Sequence, residues 1–408
     1  MKKIQLLSPA GSFDIAEAAF EHGADAVYVG VGQYNLRAHS PNFLPQDLPE
    51  LMNLAKNHGK LVYVAVNIMP DQNQFSKMEQ MFALIAENKA IPDAFIISDP
   101  GVLLLCRKHF PETALHLSTQ TGTFNEYSMK FWKNQGINRI IFPRELSLKQ
   151  ICELCSSEIV ETEIFIHGAM CMSISGRCLM GAYIAQRHPN LGDCNQPCRF
   201  KYRISPSETN CKKNGEWFDV EECENESYIL NSRDLCTLDI LPEIINSGVN
   251  SLKIEGRNKS IHYVASVVKT YRAAIDSCLK NPSQYKVLQE WKTCLDRVEH
   301  RPYTTGFFCG ELLLQEVFTS KASSNARIVG VVKAFLDGLP VIDVKNSFSA
   351  NEMLEVLPVQ SSLSSYKIEL SQITDLNGNT INIAPSNRLI KACCKSNLRP
   401  GDMLRKVI

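Results

Sequence analysis

The chain has no net charge: 43 Lys and Arg stand against 43 Asp and Glu in 408 residues. That balance excludes a uniformly basic coat for nucleic acid, while leaving room for a local basic groove. Long apolar runs are also lacking. The most apolar stretch, 61–69, is broken by Asn67 and falls far short of the ~20 residues of a spanning helix, so no membrane partner is expected. The opening MKKIQLL starts like a secretory leader but reaches Ser8-Pro9 after four apolar residues. An h-region needs roughly 7–15, and a cytoplasmic protein is expected. Neither G-x-S-x-G nor H-E-x-x-H occurs, which removes the serine-hydrolase elbow and the zincin helix.

Apolar residues make up 44% and charged residues 21%, a globular composition rather than a disordered, collagen-like or coiled-coil one. The length exceeds one typical core and points to two domains, or to a barrel with an appendage.

Short apolar runs alternate with helix-period segments through the first 257 residues. Strands are expected at 4–7, 26–30, 61–66, 94–98, 114–118, 139–142, 163–166 and 251–254, and helices at 14–22, 48–57, 77–88, 127–135, 148–154 and 261–279. The glycines in HGAD, QGIN and SGVN read as helix C-caps before a strand. Eight βα units imply a (β/α)8 TIM-like barrel rather than an open sheet. The gap before the eighth strand is 88 residues, so an insertion (about 169–250) must follow strand seven, on the face where barrel active sites are built. Its far part, 202–230, reads as a β-hairpin carrying Cys211 and Cys223. The barrel is expected over 1–280 and an irregular linker over 281–325. A small all-β barrel with an Asn377-Gly378-Asn379 turn is expected over 326–408.

Cysteine is abundant, with 15 in all. Disulfides are not expected in a cytoplasmic chain. Cys171, Cys178, Cys194 and Cys198 fall within 28 residues, and Cys236 follows near the next helix. Thiolates gathered at one end of a barrel suit an iron–sulfur cluster or zinc, or they remain unligated. His167, four residues before Cys171, could pair with it as a nucleophilic dyad, or be a satisfied histidine at a strand end. Polar residues end most barrel strands: Ser8, Asn67, Asp99, Gln120, Arg144, Glu145, Lys253, Glu255 and Arg257. The last three alternate with apolar neighbours and so share one face. They suit carboxylate or phosphate groups, or form an internal ion-pair network. Arg177, Arg187, His188, Arg199, Lys201 and Arg203 could track a phosphate backbone, form a solvated face, or offset an anionic cluster.

LLSPAGS (6–12), GADAVYVG (23–30), SDPG (98–101), RELSL (144–148), FIHGAMCMSISGRCLMG (165–181) and SLKIEGRNKS (251–260) resemble the collagenase-like peptidase family U-32. Despite its name, the family is largely one of oxygen-independent hydroxylases. Its members act on a wobble uridine of tRNA, on a ribosomal RNA cytidine or on ubiquinone precursors. The resemblance implies a 4Fe-4S cluster on Cys171, Cys178, Cys194 and Cys236, with Cys198 matching a further frequent family cysteine. It implies prephenate as co-substrate, whose carboxylates call for a bidentate cation from among Arg37, Arg144, Lys253 and Arg257. His167 and Glu255 complete the candidate catalytic set. The trailing domain, with KNSFSANEMLEV (345–356) and RPGDMLR (399–405), is most like the branch forming 5-hydroxyuridine in tRNA. The alternatives are a U-32 peptidase or a hydroxylase of ribosomal RNA or ubiquinone precursors.

Overall fold

The computed structural model describes residues 4–171, 173–200, 232–310, 322–360, 364–394 and 397–408. The eight expected strands are present: β1 (Gln5–Pro9), β2 (Ala26–Gly30), β3 (Leu61–Val66), β4 (Ala94–Ile97), β5 (Ala114–Leu117), β6 (Arg139–Ile141), β7 (Glu161–Ala169) and, after a short strand β8 (Asp234–Cys236), β9 (Ser251–Ile254). Strands β1 to β7 pair in parallel in chain order. Strand β9 pairs in parallel with both β7 and β1, which closes the (β/α)8 barrel. The interior positions of β2 and β3 are buried almost throughout, as strands covered on both faces must be.

Local chemistry sets the element ends. Gly136 and Gly248 take φ of 84° and 90°, the left-handed conformation that stops a helix and costs other residues dearly. The third helix begins at Gln72 rather than 77, because Asp71 and Gln74 form a reciprocal capping box that adds a turn ahead of the apolar stripe. The fourth strand's exit residue, Asp99, accepts from Gly101 N and Val102 N and starts helix Pro100–His109.

One expectation needs correction. Part of 281–325 is not a linker. Helix Gln289–Asp296 and strand β10 (Tyr303–Thr304) lie within it. Trp291, Leu295 and Val298 enter the barrel core, and β10 pairs with β8. Cys236 lies near a helix start as expected, just before the turn Leu238–Ile240 and helix Leu241–Asn246. It ends β8, which runs antiparallel to the tip of β7 with His167 opposite Cys236. The hairpin expected over 202–230, with Cys211 and Cys223, lies outside the described residues.

The C-terminal part is an antiparallel half-barrel. Its strands are β11 (Ala326–Leu336), β12 (Leu339–Val344), β13 (Phe348–Ser349), β14 (Met353–Leu357), β15 (Tyr366–Glu369), β16 (Gln372–Thr374), β17 (Thr380–Ile381), β18 (Ile383–Ala384), β19 (Leu389–Cys393) and β20 (Met403–Val407). Eight of them form one sheet in the order β15-β14-β20-β11-β12-β19-β16-β17, around Val329, Ile342, Val356 and Leu404. A small mixed core of Ala18, Ala265, Cys294, Val331, Leu357 and Met403 joins this part to the barrel.

Candidate active site

A cavity of about 760 Å³, counting its open mouth, sits at the C-terminal ends of the barrel strands. Tyr28, Asn67, Gln120, Arg144, Phe165, Lys253, Glu255 and Arg257 line it, with Arg37 from the loop after β2 and Cys171, Ser175 and Gly176 from the segment after β7. Its floor is polar by construction. Strand alternation points Glu163 and Phe165 of β7 and Lys253 of β9 to the interior, Glu255 follows β9 into the cavity lining, and the register sets Phe165 beside Lys253.

Lys253 Nζ lies 3.2 Å from Glu163 Oε1 and 4.4 Å from the centre of the Tyr28 ring. Glu163, fully buried, is shared from below by Arg139 at 3.3 Å. Arg139 also holds Glu161 at 2.8 Å. Desolvation lowers the Lys253 pKa, and Glu163 only partly opposes this. Glu255 is the hub above: Arg144 Nη2 reaches it at 2.9 Å and Arg37 Nη2 at 3.6 Å. Burial raises the Glu255 carboxyl, but Arg37 and Arg144 outweigh burial and hold it below the ordinary range. Arg144 also donates to Ala169 O at 3.0 Å and lies 4.1 Å from the centre of the Phe165 ring.

Among the described residues, no carboxylate lies in hydrogen-bond contact with Arg257. Its guanidinium donates to Asn42 Oδ1 at 3.2 Å and to Asn35 Oδ1, and desolvation brings its pKa down to about 10. The two asparagines were not singled out in the sequence, because they sit in an irregular loop with no periodicity to mark them. Glu163 was missed too, although its alternation with Phe165 was visible. On the opposite wall, Gln120 gathers Asn67, Ser98 and Ser118 through its amide. Glu145 takes Ser175 N at 2.8 Å, fixing the loop that carries Gly176 over Gln120.

His167 is not in the cavity lining. A bulge between Phe165 and His167 places His167 opposite Ile254, and the extra residue reverses the alternation. The side chain turns outward among Tyr263, Tyr271 and Tyr303. Burial drives its pKa down to about 3, and no hydrogen bond joins it to Cys171 among the described residues. The dyad therefore has no geometric basis. Cys236 lies with His167 against Tyr271.

The other thiols share one neighbourhood. Desolvation first, and then Cys171, Cys194 and Cys178, raise the Cys198 pKa. Burial works against the charge of Arg37, yet Glu255 and the thiols of Cys171 and Cys194 more than offset it. Four thiols with an arginine beside them are the soft donor set that iron–sulfur or zinc chemistry uses. Among the described residues, no three His, Cys, Asp or Glu side chains are gathered closely enough to hold a metal ion, and no helix is long and apolar enough to cross a membrane.

Residues 11–315 match the model of peptidase family U32, and residues 324–405 match that family's C-terminal domain. The chain belongs to peptidase family U32. Among curated U32 relatives, the tRNA hydroxylation protein P of Escherichia coli is 34% identical over 95% of this chain and 92% of its own length. The tRNA hydroxylation protein P1 of Bacillus subtilis is 33% identical over 99% of this chain and 95% of its own length. The 23S rRNA 5-hydroxycytidine C2501 synthase of E. coli is 31% identical over 68% of this chain and 40% of its own length.

Proposed function

We propose that this U32 protein is an RNA hydroxylase that forms 5-hydroxyuridine at the wobble uridine of tRNA, without oxygen, in the cytoplasm. The observation that carries the reading is the match over nearly the full length, C-terminal domain included, to proteins named for tRNA hydroxylation. Prephenate is the co-substrate in this reading. The cavity supports a dianion: among the described residues lining it, Arg37, Arg144, Lys253 and Arg257 face one carboxylate, Glu255, with Glu163 beneath, a surplus of two positive charges. Arg257, bonded to two asparagines and to no carboxylate among the described residues, offers a planar fork to a carboxylate.

Cys171, Cys178, Cys194 and Cys236 are proposed to hold a 4Fe-4S cluster, with Cys198 as the alternative to Cys194. When bound, the cluster supplies one-electron redox chemistry. The chain's own contributions are separate from it. Arg257 and Arg144 orient the carboxylates, the Phe165 and Tyr28 rings exclude water from the floor, and Glu255 keeps Arg37 and Arg144 in place. The deciding experiment is mass spectrometry of tRNA nucleosides from a strain lacking this gene. Loss of 5-hydroxyuridine and its derivatives, restored by the intact gene, is expected. An unchanged nucleoside profile with no second enzyme present would sink the reading.

A further inference from the structure

Among the described residues lining the cavity there is one lysine, and it sits at the bottom. Lys253 projects from the middle of β9 into an aromatic collar, 4.4 Å from the centre of the Tyr28 ring and 5.4 Å from that of Phe165. Its side chain is about 5% exposed, and the exposed part faces the cavity. The ordinary purpose of such a residue would be to neutralise Glu163. That carboxylate already has Arg139 on its other oxygen, at 3.3 Å. Glu163 therefore keeps a cation even when Lys253 gives up its proton. Above the amine, Arg144 and Arg257 present guanidinium groups to whatever enters. Burial lowers the amine's pKa against the pull of Glu163 and Glu255, with Arg144 adding to the lowering, and a desolvated primary amine is the form of lysine that attacks carbonyl carbon.

We propose that Lys253 is a catalytic residue that binds a 2-oxo acid covalently as an imine, with the acid's carboxylate on the cavity arginines. The class follows from the two halves of the site: cations for a carboxylate, and an amine below them for the adjacent carbonyl. The step balances without a further reactant. The Lys253 ammonium passes a proton to Glu163 Oε1, 3.2 Å away. The free amine adds to the carbonyl carbon, and the C–N bond forms as the C=O π bond opens to an alkoxide, which takes one of the two protons on the nitrogen and becomes a hydroxyl. Glu163 returns its proton to that hydroxyl, the nitrogen lone pair forms the C=N bond as water leaves, and the nitrogen again carries the positive charge, now as an iminium. Nothing is oxidised or reduced. The cation remains beside Glu163 and between the two rings, so the pairing of the floor is preserved through the reaction.

This inference deepens the hydroxylase reading by assigning its co-substrate a covalent anchor, but its test needs neither RNA nor a cluster. Wild-type protein would be incubated with pyruvate, and separately with phenylpyruvate, in the presence of sodium cyanoborohydride. Intact-mass measurement and peptide mapping would follow. A single reduced adduct on the peptide containing Lys253 is expected, absent from Lys253→Arg, whose cation still partners Glu163. A melting temperature for that variant within a few degrees of wild type would show that the loss is chemical. In Arg257→Gln the adduct yield should fall at least ten-fold at low oxo-acid concentration and recover at high concentration. No adduct, or adducts only on surface lysines, would overturn the proposal. If the nucleoside profile of the deletion strain were unchanged while Lys253 was trapped, the RNA reading would fall and this one would stand.

Discussion

The Arg257 guanidinium fills the space that a side chain on Gly30 would take. A methyl group on Gly30 would lie 1.9 Å from Arg257 Nη1, 2.2 Å from Asn42 Oδ1 and 2.5 Å from Asn35 Nδ2. The absence of a side chain at the end of β2 is what lets the guanidinium reach its two asparagines.

The first prediction follows from that packing. Gly30→Ala should displace Arg257 and reduce turnover efficiency sharply while the barrel stays folded. Arg257→Lys keeps the charge but loses the fork. It should lower efficiency roughly ten- to a hundred-fold, about 1.5–3 kcal/mol. Steady-state kinetics beside a far-UV melt would check both. Wild-type efficiency in either variant would remove Arg257 from the site.

The thiols can be told apart by iron content. Alanine at Cys171, Cys178 or Cys236 should abolish cluster loading in anaerobically prepared protein. Of Cys194 and Cys198, only the one that is a ligand should behave the same way. Iron and sulfide assays on the five single variants give the answer. Stoichiometric zinc without sulfide in the wild type would end the cluster proposal altogether.

Acid should destabilise the fold well before its carboxylates are titrated. His22, His167 and His262 are buried, and desolvation brings their pKa values down to about 4, 3 and 3. Unfolded, each protonates near 6.5. The stability they give as neutral groups is whole above about pH 6.5 and is lost as pH falls from there toward 4. At pH 5 the loss is roughly 2 kcal/mol for each. Glu21 acts in the opposite sense. Burial first, and then Glu17, lift it to about 7, so it takes up a proton in the folded state and offsets part of the loss between pH 7 and 4.5. Urea midpoints at pH 7.5 and 5 should differ clearly, and coincident midpoints would contradict the neutral burial of these rings.

Glu355 of β14 joins the two parts of the chain. Arg405 of β20, almost wholly buried, donates to its Oε1 through Nε at 2.6 Å, and Arg297 from the barrel side reaches the other oxygen at 3.3 Å. Arg405→Ala would leave Glu355 with one distant partner and should cost about 3–5 kcal/mol. Denaturant unfolding would measure it. A change below 1 kcal/mol would mean that water replaces the guanidinium.

The barrel was legible in the sequence because parallel strands buried on both faces read as short apolar runs and helix ends carry their own punctuation. All eight strands fell at the expected positions, and Gly136 and Gly248 stopped their helices as expected. Lys253, Glu255 and Arg257 were read to one face from their period of two, and all three line the cavity, although β9 ends at Ile254 and the last two follow it in the loop. The direction of His167 was not legible, because one extra residue in β7 reverses its face, and a bulge has no strong signature in a single chain. The pairing of β8 with β7, the docking of Trp291 and Leu295 in the core, and the reach of Asn35 and Asn42 to Arg257 were likewise decided by tertiary structure. Each depends on segments far apart in the chain meeting in space. Local propensity and alternation act over a few residues, whereas these contacts join positions separated by up to 222 residues, and only closure of the barrel brings them together.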